Sequence, residues 1–292
     1  MEPGWPLLQR MARSERPTVD PAPPNGVQSV RRCAALLRTL TSTPATGARL
    51  TDLAEALSLD RTTVHRLLQT LADERLVEQD PASKRYHLGL DFFALAAAAS
   101  NRYDVQDVAA TAVAKLAETL GDSVFFSLRS HGDAICVEAN KGIYPVRILA
   151  MDIGARTPLG AGATGIALLA PLPDDEVQEL LRQNSARLQR YQSHTPDYIA
   201  AAIARFRDVG FAFDDGRASN GVHAIAVPLP DRRGRPLTAL TLAASAERMP
   251  LQRRSTIAAA LQTEGGQIAE AMWRKPDTTR HRLNWLAATR IR

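Results

Sequence analysis

Residues 50–71 read L-T-D-L-A-E-A-L-S-L-D-R-T-T-V-H-R-L-L-Q-T-L, and residues 72–89 continue A-D-E-R-L-V-E-Q-D-P-A-S-K-R-Y-H-L-G. The first part reads as two short helices joined by a tight turn. Thr51 is placed to cap the first helix, whose apolar face carries Leu53, Ala54 and Leu57. Ser58 and Leu59 make the turn, and Asp60 sets a carboxylate at the positive end of the second helix. In that helix Val64, Leu67, Leu68 and Leu71 recur at i, i+3, i+4 and i+7, a single stripe for burial. Thr62, His65, Arg66 and Gln69 share the same spacing on another face. Side chains of this kind donate hydrogen bonds to base edges and phosphates. Arg61, at the helix start, is set to reach a phosphate, and Thr63 lies beside it. Leu76–Gln79 and Arg85–Leu88 read as two strands around the turn D-P-A-S-K. That hairpin carries Lys84 and Arg85 at its tip and Tyr86 just behind. A helix-turn-helix followed by a basic hairpin is a winged helix, with one helix for the major groove and a wing for the backbone or minor groove.

The chain has 292 residues, enough for two domains with separate cores. Its composition, 45% hydrophobic and 23% charged, is that of a soluble protein. The net charge is +5. Residues 26–90 hold nine Lys/Arg and seven Asp/Glu, so DNA affinity would come from the placement of Arg61, Arg66, Lys84 and Arg85, not from a general cationic field. Cys33 and Cys136 fall in different expected domains, which excludes a disulfide framework and a cysteine-based zinc site and fits a reducing cytoplasm. There is no apolar signal region at the start and no apolar run long enough to span a bilayer.

Outward from the wing, residues 1–25 read as a disordered, Pro- and Arg-rich arm, and 26–89 as the DNA-binding domain. Its opening helix is expected over Val27–Leu40, with Val30, Ala34, Leu37 and Leu40 inward and with Ser29, Arg31 and Arg32 near phosphates. Residues 90–103 form a linker helix whose stretch L-D-F-F-A-L-A-A-A-A-S is too greasy to stand alone in water, so a second subunit is expected to cover it. Residues 104–275 alternate helices and antiparallel strands. Helices are expected over Val105–Leu120, Asp174–Gln183, Pro196–Val209 and Gln252–Trp273. Strands are expected over Ser123–Arg129, Ala134–Ala139, 144–150, Phe211–Phe213, Val222–Leu229 and Leu237–Ala244. This is an α+β domain with helices packed on an antiparallel sheet. Residues 276–292 form a basic tail.

The order of motifs resembles the IclR-type transcriptional regulators. The carriers in the first half are S-V-R-R-C-A-A-L-L at 29–37, L-T-D-L-A-E-A-L-S-L at 50–59, R-T-T-V-H-R-L-L-Q-T-L at 61–71 and Y-H-L-G at 86–89. In the second half they are Y-P-V-R-I-L-A at 144–150, the small-residue run at 154–170, V-G-F-A-F-D-D at 209–215 and G-V-H-A-I-A-V-P-L-P-D at 221–231. The resemblance implies a winged domain, a linker helix and a C-terminal GAF-like effector domain, assembled as a homodimer or homotetramer on a two-half-site operator in double-stranded DNA. It also implies a small organic acid or aromatic metabolite as effector. The binding positions carried over are Gly160, Ala161, Gly162, Ala163, Thr164, Asp214, Val222, Ala224, Thr241 and Ala243. Amides of a Gly-rich loop at a helix N-terminus suit a carboxylate. The chain departs from the family pattern at Gly162 and Ile166, where a hydroxyl and a lysine are usual, at Gly216 and Arg217 in place of an acid, and at Ala243 in place of a second hydroxyl. The departures imply a more apolar pocket.

An enzyme reading is the alternative. Gly160–Gly165 fits the G-x-G-x-x-G spacing of dinucleotide sites, but the fingerprint needs a strand directly before it and a strand after its helix. Pro158 and Pro171 interrupt both. The six histidines make no metal or catalytic pair, and no cofactor, metal or catalytic residue is expected. Asp214 and Asp215 read as a solvated loop.

Overall fold

The structure, a computed structural model, describes residues 27–274 apart from 42, 45, 104, 145–150, 192 and 232. The expected arm and tail, and all of the expected strand at 144–150 except Tyr144, lie outside the described residues. The chain divides into two compact units between residues 99 and 100.

The first unit contains α1 (Gln28–Thr41), α2 (Leu50–Leu57), α3 (Arg61–Asp73), β1 (Val77–Gln79) and β2 (Tyr86–Leu88). Ser58 turns the chain between α2 and α3 in the left-handed conformation, and its amide donates to the carbonyls of Ala54 and Glu55. Asp60 caps α3: its Oδ1 accepts from the Thr63 amide at 2.8 Å. Hydrogen bonds from the Thr63 side chain and amide hold the Asp60 carboxyl below its usual range. Thr51 does not cap α2. The helix begins two residues earlier than a Thr51 cap implies, Arg49 stands at the cap position without a side-chain bond, and the Thr51 hydroxyl turns to Asp52.

The expected stripe of α3 is buried at Val64, Leu68 and Leu71, with Leu67 half-buried. It packs on Leu36, Leu40, Leu53 and Leu57. On α1 the inward face is Ala35, Leu36, Thr39 and Leu40, and Val30 is 64% exposed. A helix of mixed apolar pattern leaves the choice of face to its partners, and here α2 and α3 draw in Leu36. The wing pairs antiparallel with Gln79 opposite Tyr86. Ala48, before α2, exchanges both backbone hydrogen bonds with Tyr86, so the loop from α1 becomes a third member of the ladder.

Gly89 ends the wing. Its amide donates to the Leu76 carbonyl at 3.0 Å, and the next amide, of Leu90, donates to Glu78 Oε1 at 3.1 Å. These bonds join the hairpin to α4 (Asp91–Tyr103), which starts in this unit and crosses into the next. Leu90, Phe93 and Leu95 are exposed, Phe93 to 76%.

The second unit is a six-stranded antiparallel sheet of β3 (Ser123–Ser130), β4 (Asp133–Asn140), β5 (Arg156–Pro158), β6 (Ala212–Asp215), β7 (Val222–Pro230) and β8 (Pro236–Ser245), in the order β5-β4-β3-β8-β7-β6. On one face α5 (Val105–Leu120) and α9 (Leu251–Arg274) cover Val124, Phe126, Ile225, Leu240 and Leu242. On the other, α6 (Gly162–Leu169), α7 (Asp174–Leu188) and α8 (Pro196–Val209) pack on Ala134, Ala212, Ala226 and Ala239. Side chains alternate between faces along each strand, and here bulk alternates with them. The fold is α+β, with a winged helix-turn-helix, a linker helix and a GAF-like domain on an antiparallel sheet. β5 was not expected from sequence, being three residues with a proline on an edge.

A Cβ added at Gly89 would lie 2.0 Å from the Arg75 carbonyl oxygen, a backbone atom that cannot swing aside. Gly89→Ala is therefore expected to destabilise the winged unit by about 1–3 kcal/mol, the usual range for overpacking. Denaturant unfolding followed by far-UV circular dichroism, beside wild type, measures it.

Candidate functional sites in the two units

The face of α3 opposite its buried stripe is free. Arg61, Thr62, His65, Arg66 and Gln69 are all exposed. Thr63 is half-buried, and its amide belongs to the Asp60 cap. On α1, Ser29 is exposed and Arg31 and Arg32 are half-buried. At the wing tip Lys84 is exposed in a left-handed turn (φ 58°), held by Asp80, whose Oδ1 accepts from both the amide and the hydroxyl of Ser83. Arg85 is directed inward, and its Nη1 donates to the Gly47 carbonyl at 2.8 Å. Tyr86 is buried at 6% exposure in the winged core, and burial pushes its hydroxyl pKa up. The expectation that Tyr86 contacts DNA is corrected: its place in the ladder points the ring to Val77 and Leu36, not to solvent. Sequence alone hides this, because both strands are short enough to be read in either register.

In the second unit the expected effector residues divide. Gly160 (φ 103°) backs onto Leu181 and Leu188 of α7, and Ala161 and Ala163 lie in the core beneath the helices. The others converge. Asp214, Ala224 and Ala243 form one cross-strand row over β6, β7 and β8. Thr241 is two residues before Ala243 on the same face, opposite Phe125. Its hydroxyl is 2.8 Å from that of Thr164, and both are buried. Phe125, Cys136 and Ala243, with half-buried Ala139, Met151, Val222 and Ala224, make a small apolar wall beside the row. Burial pushes the Cys136 thiol up to about 12, so this cysteine is a small apolar side chain at neutral pH.

Asp214 is buried, not solvated, which corrects the sequence expectation. Its Oδ1 accepts from the amides of Gly216 (2.9 Å), Arg217 (2.8 Å) and Ala218 (3.2 Å). The loop after β6 thus folds around the carboxylate and removes it from water. Burial pushes the Asp214 carboxyl up, but His194 and the surrounding amides outweigh it, so the group sits below the usual carboxylate range and stays ionised. Asp215, next to it, is exposed and paired with Arg217 at 3.1 Å.

His194 is the residue that sequence reasoning missed. It lies just before α8, whose N-cap Thr195 accepts from the Tyr198 amide. Its side chain is fully buried. Nε2 accepts from the Gly162 amide at 3.0 Å and lies 3.4 Å from Asp214 Oδ2, within ion-pair range. The first amides of a helix lack intrahelical partners, and the imidazole supplies one for α6. Tyr191 and Tyr198 stand edge-on to the ring at 5.7 and 5.2 Å. Burial, with the charges of Asp214 and Asp215, pushes Tyr198 up to about 12, and Arg217 stacks 4.4 Å over its ring. A lone histidine in Q-S-H-T-P gave no periodic or spacing signal by which to find it.

The dinucleotide alternative meets a contrary geometry. The Gly160–Gly165 loop follows an edge strand of an antiparallel sheet, and its helix leads to another helix, so there is no parallel βαβ unit.

Comparison with known proteins gives the family. Residues 29–81 match the IclR helix-turn-helix domain, and residues 97–270 match the bacterial transcriptional regulator IclR C-terminal domain. The chain belongs to the IclR family of bacterial transcriptional regulators. It is a regulator and not an enzyme. The glycerol operon regulatory protein of Streptomyces coelicolor is 33% identical over 230 residues, covering 76% of this chain and 87% of that protein. The regulator XynR of Escherichia coli is 26% identical over 252 residues, covering 84% and 97%. Among solved structures, an IclR transcriptional regulator from Alicyclobacillus acidocaldarius aligns with a TM-score of 0.71 at 24% identity, covering 85% of this chain and 99% of that one. Among the described residues no helix is long and apolar enough to cross a membrane.

The hydroxyl pair supplies a test of packing at the site. Thr164→Val or Thr241→Val alone strands the other buried hydroxyl and is expected to cost about 1–3 kcal/mol, whereas the double substitution restores much of the loss. A double-mutant cycle from denaturant unfolding measures the coupling.

Proposed function

We propose that this protein binds an operator in double-stranded DNA through α3 and the wing, and that a small organic acid or aromatic metabolite, bound in the cluster around Thr164, Asp214 and Thr241, changes that binding. The observation that carries the DNA half is α3 itself. One face is wholly committed to the core, and the other offers Thr62, His65, Arg66 and Gln69 to solvent. These four read base edges in the major groove, while Arg61, Lys84 and Ser29 hold phosphates. Arg31, Arg32 and Thr63 are proposed at the edge of the same contact. Arg85 acts from behind, by fixing the wing.

Two copies are required for a two-half-site operator. Exposed Leu90, Phe93 and Leu95 on and before α4 support a homodimer built there, or a homotetramer built from two such dimers. The protein would act in the cytoplasm, where the operator is. Effector binding alters operator affinity to the extent that it favours one arrangement of the paired effector domains over another.

Fluorescence anisotropy on DNA upstream of the protein's own gene tests this. Arg66→Ala is expected to cost about 1–3 kcal/mol on the preferred fragment and little on random DNA, the mark of a lost base contact. Lys84→Ala should weaken both alike and reduce the salt dependence, the mark of a lost phosphate contact. Equal affinity of wild type for all fragments at every salt concentration would remove the operator reading.

A further inference from the structure

The excess positive charge of the chain does not lie in the unit that carries α3. Residues 275–292 read K-P-D-T-T-R-H-R-L-N-W-L-A-A-T-R-I-R, with five Lys/Arg (Lys275, Arg280, Arg282, Arg290 and Arg292) and one acid, Asp277. Five less one is +4 of the chain's net +5, so everything before residue 275 carries +1. Residues 26–90 hold nine Lys/Arg against seven Asp/Glu, and one of the nine, Arg85, is turned inward to Gly47. Attraction to a duplex comes from cations in excess where the protein meets it, and the winged unit is short of them.

The second unit fixes where that charge leaves the fold. α5 and α9 run antiparallel on the bulky face of the sheet. Arg253, near the start of α9, donates to the carbonyl of Leu120 at the end of α5 at 2.6 Å. Further along, Lys115 of α5 pairs with Glu264 of α9, and Ala109 and Met272 share one core. Lys115 is ten residues after Val105, where α5 starts, and Glu264 is ten residues before Arg274, where α9 ends. At about 1.5 Å per residue those two ends come level. The tail therefore leaves the second unit at the end where the chain enters it from α4. Since α4 is the covalent link to the winged unit, the five cations are tethered beside that link. Eighteen residues span at most about 60 Å when extended. The tail also lies beyond residue 270, where the match to the family's C-terminal domain ends.

We propose that residues 275–292 are a second DNA-binding element, which holds phosphates beside the operator without reading bases. The inference rests on the reading of the protein as a DNA binder. Four of the five cations are arginines, whose planar fork matches a phosphate, and the one acid stands before all four. The labour is divided: α3 supplies sequence discrimination, and the tail supplies a salt-dependent share of the affinity that is equal on every sequence. An anionic membrane surface would attract the same charges. The duplex is favoured because α3 already holds the chain to it, so the tail meets phosphates as an intramolecular partner at high effective concentration.

Fluorescence anisotropy of the full chain across a salt series tests the proposal, on the preferred fragment, on the same fragment lengthened at both ends, and on random DNA. The fourfold variant Arg280→Gln, Arg282→Gln, Arg290→Gln, Arg292→Gln is expected to flatten the slope of log affinity against log salt. The change should be about 0.9 for each phosphate given up, up to roughly 3–4 per copy. At low salt the loss should be about tenfold or more, alike on preferred and random DNA, so that the ratio between them is kept. Wild type should bind the lengthened fragment more tightly, and the variant should not. The four matching Arg→Lys changes keep the charge and should keep the slope. Circular dichroism and sedimentation of the free variant report its fold and assembly. An unchanged slope overturns the proposal, and loss of binding to phosphatidylglycerol vesicles in the same variant would then assign the tail to a membrane surface. A change in assembly also overturns it, because the tail is then a subunit contact. If wild type binds all fragments alike and the variant still flattens the slope, the operator reading falls and the tail stands as a DNA contact. If wild type binds no DNA at any salt concentration, both fall.

Discussion

The second unit depends on a sheet whose two faces differ in bulk. Val124, Phe126, Ile225, Leu240 and Leu242 fill one face, and Ala212, Ala226, Ala239 and Ala243 pave the other. The longer helices α5 and α9 ride on the bulky side. On the alanine side a short helix of small residues can come close enough for Thr164 on the helix to meet Thr241 on the strand at 2.8 Å. That approach also brings the first amide of α6 to His194 and so to the neighbourhood of Asp214. A polar cluster therefore exists inside an apolar domain because side-chain volume was withheld from one face. Larger side chains at those alanines would lift α6 and separate every pair that the cluster depends on.

The winged unit obeys a different constraint, the assignment of each strand residue to one side. In three-residue strands a single position decides whether a side chain faces the core or the DNA. Tyr86 goes inward because Ala48 pairs with it, and Arg85 folds back because Gly47 offers a carbonyl. Lys84, one residue earlier in a left-handed turn, is left outside.

Much of this was legible from sequence where a period ran long. The stripe Val64-Leu68-Leu71, the Asp60 cap, and the helices Val105–Leu120 and Pro196–Val209 follow from spacing and end signals alone. The six histidines carry no pattern, so His194 becomes meaningful only when three separated stretches, at 162, 194 and 214, meet. The same holds for Asp214. Two acids before a glycine look like a solvated turn, and only the fold of residues 216–218 around the carboxylate removes it from water. On α1 the pattern admitted more than one inward face, and the choice of Leu36 over Val30 belongs to packing, which one-dimensional periodicity does not contain.

The wing is fastened at three places: to the loop before α2 by Arg85, to Ala48 by the ladder, and to the start of α4 by Glu78. A hairpin held this way has already lost its conformational freedom when the domain folds. Docking it on a duplex then requires ordering little more than the Lys84 side chain, so association carries a small entropic penalty at that contact.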